Sequence, residues 1–140
     1  MKCGPFKVIA MSLFIAFVES ASGGSVAMPD FAIIGQRWGR IMPPANEASF
    51  KVFPKQVAID YNSNGIIYGF VYEYRIGSEL FADLKAEIQK TIQVEPKMVS
   101  SKMAVWRNEN RKLTITLTLS QEENNIKVVA VSIDKEIRRD

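Results

Sequence analysis

The chain has 140 residues, 47% of them hydrophobic and 24% charged, with 18 Lys and Arg against 15 Asp and Glu, one Cys and no His. That length and apolar share describe one globular domain and exclude a disordered chain. Without His there is no Ser-His-Asp triad and no imidazole base or metal ligand, and a single Cys forms neither an internal disulfide nor a Cys-rich zinc site.

Lys2 and Lys7 precede or border an apolar run, residues 8–18, interrupted only by Ser12, and the small residues Ser20, Ala21, Ser22, Gly23, Gly24, Ser25 and Ala27 follow. Charge, apolar run and small residues in this order read as a secretory signal peptide over residues 1–27. Small side chains at the first and third positions before the cut allow cleavage after Ser22 or after Ala27. The competing reading is an uncleaved membrane anchor. Eleven helical residues reach only about 16 Å of a hydrocarbon core of about 30 Å, so no stable membrane insertion is expected after cleavage. Cleavage discards Cys3, and loss of Lys2, Lys7 and Glu19 leaves 16 basic and 14 acidic residues. A near-neutral, cysteine-free chain without an Asn-x-Ser/Thr sequon favours a bacterial envelope, periplasmic or secreted, and gives no electrostatic support for nucleic-acid binding.

Residues 28–49 are irregular, punctuated by Pro29, Gly35, Gly39, Pro43 and Pro44, and read as an N-terminal arm that docks on the domain or on a partner. A single domain follows over residues 50–140. Val57, Ile59 and Tyr61 alternate with Ala58 and Asp60, and Asn62-Ser63-Asn64-Gly65 provides a hairpin turn before a long strand over residues 66–75. Residues 79–91 read as a helix with Ser78 as N-cap and an apolar stripe of Leu80, Phe81, Leu84, Ile88 and Ile92. Three strands follow, over residues 102–107, 112–120 and 126–134. In the second, Leu113, Ile115, Leu117 and Leu119 form one face and Thr114, Thr116 and Thr118 a solvated or partner-facing one; in the third, Val129, Val131 and Ile133 are expected inward. The resulting β-β-α-β-β-β order predicts an α+β, two-layer domain: a mainly antiparallel five-stranded sheet covered by one amphipathic helix.

Candidate sites are few. Tyr68, Phe70, Tyr72 and Tyr74 share one strand face at period two, either as an aromatic binding strip or as core under the helix. Ile67, Gly69 and Val71 make the other face partly apolar too, so this strand is expected to be covered on both sides, by the arm or by another subunit. Trp106-Arg107 has the composition of an interface hot spot. Trp106 lies beside the threonines if Met103 and Val105 face the core, and is buried if the register is reversed. Arg37-Trp38 in the arm has a similar composition. Glu73, two residues from Arg75, reads as a surface ion pair rather than an acid or base, and no second carboxylate is placed beside it; Asp60 sits by the hairpin turn. No metal-binding or phosphate-binding motif is present, and no cofactor is expected. The reading is an exported, non-enzymatic protein-interaction domain, of a class that includes inhibitors and immunity proteins, with an envelope protein or a second copy as partner. The alternatives are a small-ligand carrier with an aromatic pocket between helix and sheet, near Tyr68, Tyr72 and Tyr74, and a carboxylate-based hydrolase.

Overall fold

The computed structural model describes residues 6–9, 17–19, 26–38, 52–77 and 79–138. The rest of the expected arm (39–49), the small-residue stretch 20–25 with its expected Ser22 cut and the expected N-cap Ser78 lie outside them; the cap position of the helix falls at Glu79. The fold is α+β. Strands β1 (Phe6–Ile9), β4 (Gln56–Tyr61), β5 (Ile67–Arg75), β6 (Lys97–Ser100), β7 (Met103–Asn108), β8 (Leu113–Ser120) and β9 (Asn125–Ser132) form one sheet in the order β1-β4-β5-β9-β8-β7-β6. Every pairing in it is antiparallel. Strands β2 (Phe17–Glu19) and β3 (Ala27–Pro29) form a separate pair.

The five expected strands are present, and the sheet is wider by two. Strand β6 lies in the segment between the helix and the strand expected over residues 102–107, with all four residues exposed. Strand β1 falls in the segment expected to be a leader helix. Phe, Val and Ile suit an extended chain in water; an apolar run of this kind is helical where an apolar medium removes the competition of sheet pairing.

Helix α1 (Leu80–Ile92) buries Leu80, Leu84, Ile88 and Ile92 and rests on β7 and β8. Each such side chain contributes about 1.5–3 kcal/mol by leaving water. At its C-terminal end Asn108 Nδ2, on β7, donates to the Ile92 carbonyl (3.2 Å), one of the carbonyls a helix cannot satisfy itself.

The helix covers only half of the sheet. The other half is covered by the N-terminal segment: Val26, Ala27, Met28, Phe31 and Ile33 all belong to the core. Phe31, in a short 3-10 turn (Phe31–Ile33), stacks on Phe70 with ring centroids 5.8 Å apart. Ala27 donates its N–H to the Val52 carbonyl (2.7 Å) and accepts from Tyr74 Oη (2.6 Å). Over its described residues the arm is therefore part of the second layer.

The β4–β5 hairpin depends on Asn62. Its Oδ1 accepts from the N–H groups of Asn64 (2.9 Å) and Ile66 (3.0 Å), and its Nδ2 donates to the carbonyl of Ile137 (3.1 Å) in the short helix α2 (Lys135–Arg138). Gly65 closes the turn at φ +79°, where a Cβ is unfavourable. Asn62 is buried, so Asn62→Ala strips three hydrogen bonds from a site closed to water. A loss of about 2–3 kcal/mol is expected in urea unfolding, together with faster amide exchange in α2. A loss below about 0.5 kcal/mol would contradict this role.

Candidate functional site

The residues singled out in the sequence do not converge on one site. Trp106 is fully buried, cross-strand from Ile115 on the helix side of the sheet. Its Nε1 finds no acceptor among the described residues. Arg107 follows it in the strand and so lies on the opposite face, where it is exposed and paired with Glu109. Tyr72 and Tyr74 are fully buried. Burial pushes both phenols upward, with the nearby Asp30 carboxylate adding to the effect on Tyr72, so both stay protonated and Tyr74 serves as a donor. The space expected to hold an aromatic pocket is occupied by the N-terminal segment. Trp38 is half-buried and stacks on Tyr61 (6.1 Å), while Arg37 is exposed beside the hairpin turn.

Alternation accounts for these positions. In β5 Phe70, Tyr72 and Tyr74 face the core, and Gly69, Val71, Glu73 and Arg75 face outward. A register shift between Asp60 and Tyr61 brings Ile67 into the core and leaves Tyr68 out of the expected strip. In β9 the inward set is Ile126, Val128 and Ala130, and not Val129 and Val131 as expected. Both sets are apolar, so period two does not decide between them. The register does: Ile115 pairs with Ala130 and Leu117 with Val128, placing leucine and isoleucine opposite these residues on the buried side.

The consequence is an outer face built of three cross-strand rows, turned to solvent among the described residues except where α2 borders β5 and β9. The central row runs Ala58, Val71, Val129, Thr116, Val105 across β4, β5, β9, β8 and β7, each residue directly opposite the next. It contains no charge. The row on one side is Asp60, Gly69, Val131, Thr114, Arg107; the row on the other is Gln56, Glu73, Lys127, Thr118, Met103. At an interstrand spacing of about 4.8 Å and about 7 Å between rows, the face measures roughly 24 by 20 Å. Glu73 is neutralised by Lys55 (3.2 Å) and accepts from Asn125 Nδ2 (2.8 Å), so its partner is Lys55 and not the expected Arg75. Asp60 and Glu73 lie two rows apart, about 14 Å, and do not form an acid–base pair.

At the Asp60 corner the face deepens into a cleft of about 260 Å³ with an apolar floor of Gly69, Val71, Val129 and Val131, and with Asp60 and Arg138 at its sides. Tyr68 also lines it. Gly69 keeps this floor low: a Cβ there meets the Ala130 carbonyl oxygen at 3.1 Å. The described residues contain no cluster of three metal-ligating side chains, and no described helix is long and apolar enough to cross a membrane. No known protein family, curated protein or solved structure matches the chain.

The sequence carried the signal for this face in two separate places, the threonine alternation of β8 and the partly apolar outer set of β5. What joins them is the strand order β4-β5-β9-β8-β7, which places Val71, Val129 and Thr116 side by side.

Proposed function

We propose that the protein is an exported, non-enzymatic interaction domain of the bacterial envelope that binds a protein through the outer face of its sheet. The observation that carries this reading is the uncharged central row from Ala58 to Val105. An antiparallel sheet with one solvated face ordinarily turns polar residues outward, whereas this row is a half-buried apolar band rimmed by polar groups, with Ala58 8% exposed at its end, and such a band supports an interaction surface. An inhibitor or immunity-type role belongs to this class. The cleft at Asp60, at about 260 Å³, is below the usual range for small-molecule sites, about 300–1,000 Å³, which weighs against the carrier alternative.

Export rests on the charged, apolar and small-residue order of residues 1–27. Of the two cuts, the one after Ser22 retains Val26 and Ala27. The cut after Ala27 removes both from the core and starts the chain with a charged amine at Met28, which is 2% exposed. Burial of Val26, Ala27 and Met28 supports the cut after Ser22, which would start the mature chain at Gly23 and remove β1 and β2 with the leader.

The test is a C-terminally tagged full-length chain expressed in its own host, fractionated, chemically cross-linked and read by mass spectrometry. The expected result is an envelope-located chain starting at Gly23 that carries a cross-linked protein, with the adduct lost in Val129→Arg. A cytoplasmic chain retaining Met1 contradicts export. An adduct unchanged in Val129→Arg contradicts the face.

A further inference from the structure

We infer that the outer face pairs with the same face of a second copy, to form a two-sheet sandwich. This rests on the reading of that face as an interaction surface, but not on export. The argument is charge placement. Asp60 and Arg107 end the same cross-strand row on opposite margins of the face. A twofold axis running along β9 between two facing sheets exchanges left and right margins while keeping each row level. Arg107 of each copy then lies over Asp60 of the other, giving two intermolecular ion pairs. The same operation sets Val105 over Ala58, Thr116 over Val71 and Val129 over Val129, so the uncharged rows meet each other. Sheets packed in this way keep their strands within about 30° of parallel.

Shape agrees with charge. Arg107 is 58% exposed on its side chain and stands out from the face, while the cleft beside Asp60 is a recess with an apolar floor. The stem of an arginine packs on such a floor and its guanidinium reaches the carboxylate. The exposed Arg107–Glu109 pair costs little to exchange for a less solvated one. The axis creates two like-charge contacts: Lys127 near Lys127 falls in the rim row, where each lysine keeps its own Glu123 at 3.1 Å, and Arg107 enters a cleft that Arg138 lines together with Asp60. The face covers about 500 Å² per copy, less than the ~800 Å² of a standard interface, so the dimer is weak and reversible.

Sedimentation of the chain from Gly23 to Asp140 over about 1–200 μM tests this. The expected result is a concentration-dependent monomer–dimer equilibrium. Val129→Arg, which places two cations together on the axis, abolishes the dimer, and Arg107→Asp weakens it at least tenfold. The pair Asp60→Arg with Arg107→Asp restores it. Because Asp60 is half-buried, the exposed reversal at Arg107 mixed with wild type is the second measurement: the mixture dimerises less than wild type alone. Circular dichroism checks that each variant is folded. A wild-type monomer throughout the range overturns the inference, as does a dimer indifferent to Val129→Arg or to Arg107→Asp. A monomer that still captures an envelope protein in a Val129-dependent way overturns self-pairing and leaves the interaction reading standing. A dimer that captures nothing does the reverse for a foreign partner.

Discussion

A chain shortened to residues 50–140 will not fold cooperatively, although all the central strands and the helix remain. The shortening removes Val26, Ala27, Met28, Phe31 and Ile33 from the core and opens Phe70, Tyr72 and Tyr74 to water. At about 1.5–3 kcal/mol for each large side chain, the loss is on the order of 8 kcal/mol or more, comparable with the whole stability of a small domain. Tyr74 also loses its acceptor at Ala27. The chain from Gly23 to Asp140 is expected to show a single sigmoidal urea transition and a strong near-ultraviolet spectrum, and the 50–140 fragment neither. A fragment transition within about 1 kcal/mol of the longer chain would show that the arm is an accessory.

The second large effect is at Trp106. Trp106→Ala is expected to cost about 3–5 kcal/mol, because the largest fully buried side chain leaves a cavity between β7 and α1. Trp106→Phe is expected to cost clearly less. The indole Nε1 has no acceptor among the described residues, so removing it breaks no hydrogen bond and relieves a desolvated N–H. The two variants separate a core role from a contact role. A core Trp106 gives graded stability losses, with association at the outer face preserved in whatever fraction is folded. A hot-spot Trp106 gives lost association in Trp106→Phe at near-normal stability, and that result would contradict its placement.

How much of this was legible in the sequence differs from element to element. The β4–β5 hairpin, α1 and the β8 alternation were readable because each has a strong local cause: the Asn-Ser-Asn-Gly turn, a 3.6-residue apolar stripe and a leucine–threonine alternation. Strand β6 was not readable, since Lys97-Met98-Val99-Ser100 has no alternation to bury and makes an exposed edge. The orientation of β9 was misread because both of its faces are apolar, and only pairing with β8 breaks the tie. Trp106 was left open for the same reason, and β7 follows the register of β8. The arm is the clearest case. Its prolines and glycines signal irregular backbone, which says nothing about whether Met28, Phe31 and Ile33 pack, and they do. The candidate face suffered most, because a row that crosses five strands is a property of strand order and not of any segment.

The central claim is that this molecule meets other chains with the outer face of its sheet and keeps its most conspicuous aromatics for its core. The most direct measurement is site-specific photo-cross-linking in the living cell. A photoreactive residue at Thr118, at the rim of the outer face, is compared with one at Ala82, exposed on the far side of α1. The account predicts an adduct with another polypeptide, a second copy or an envelope protein, at position 118 and none at position 82. Adducts only at position 82, or equal yields at both, would contradict it.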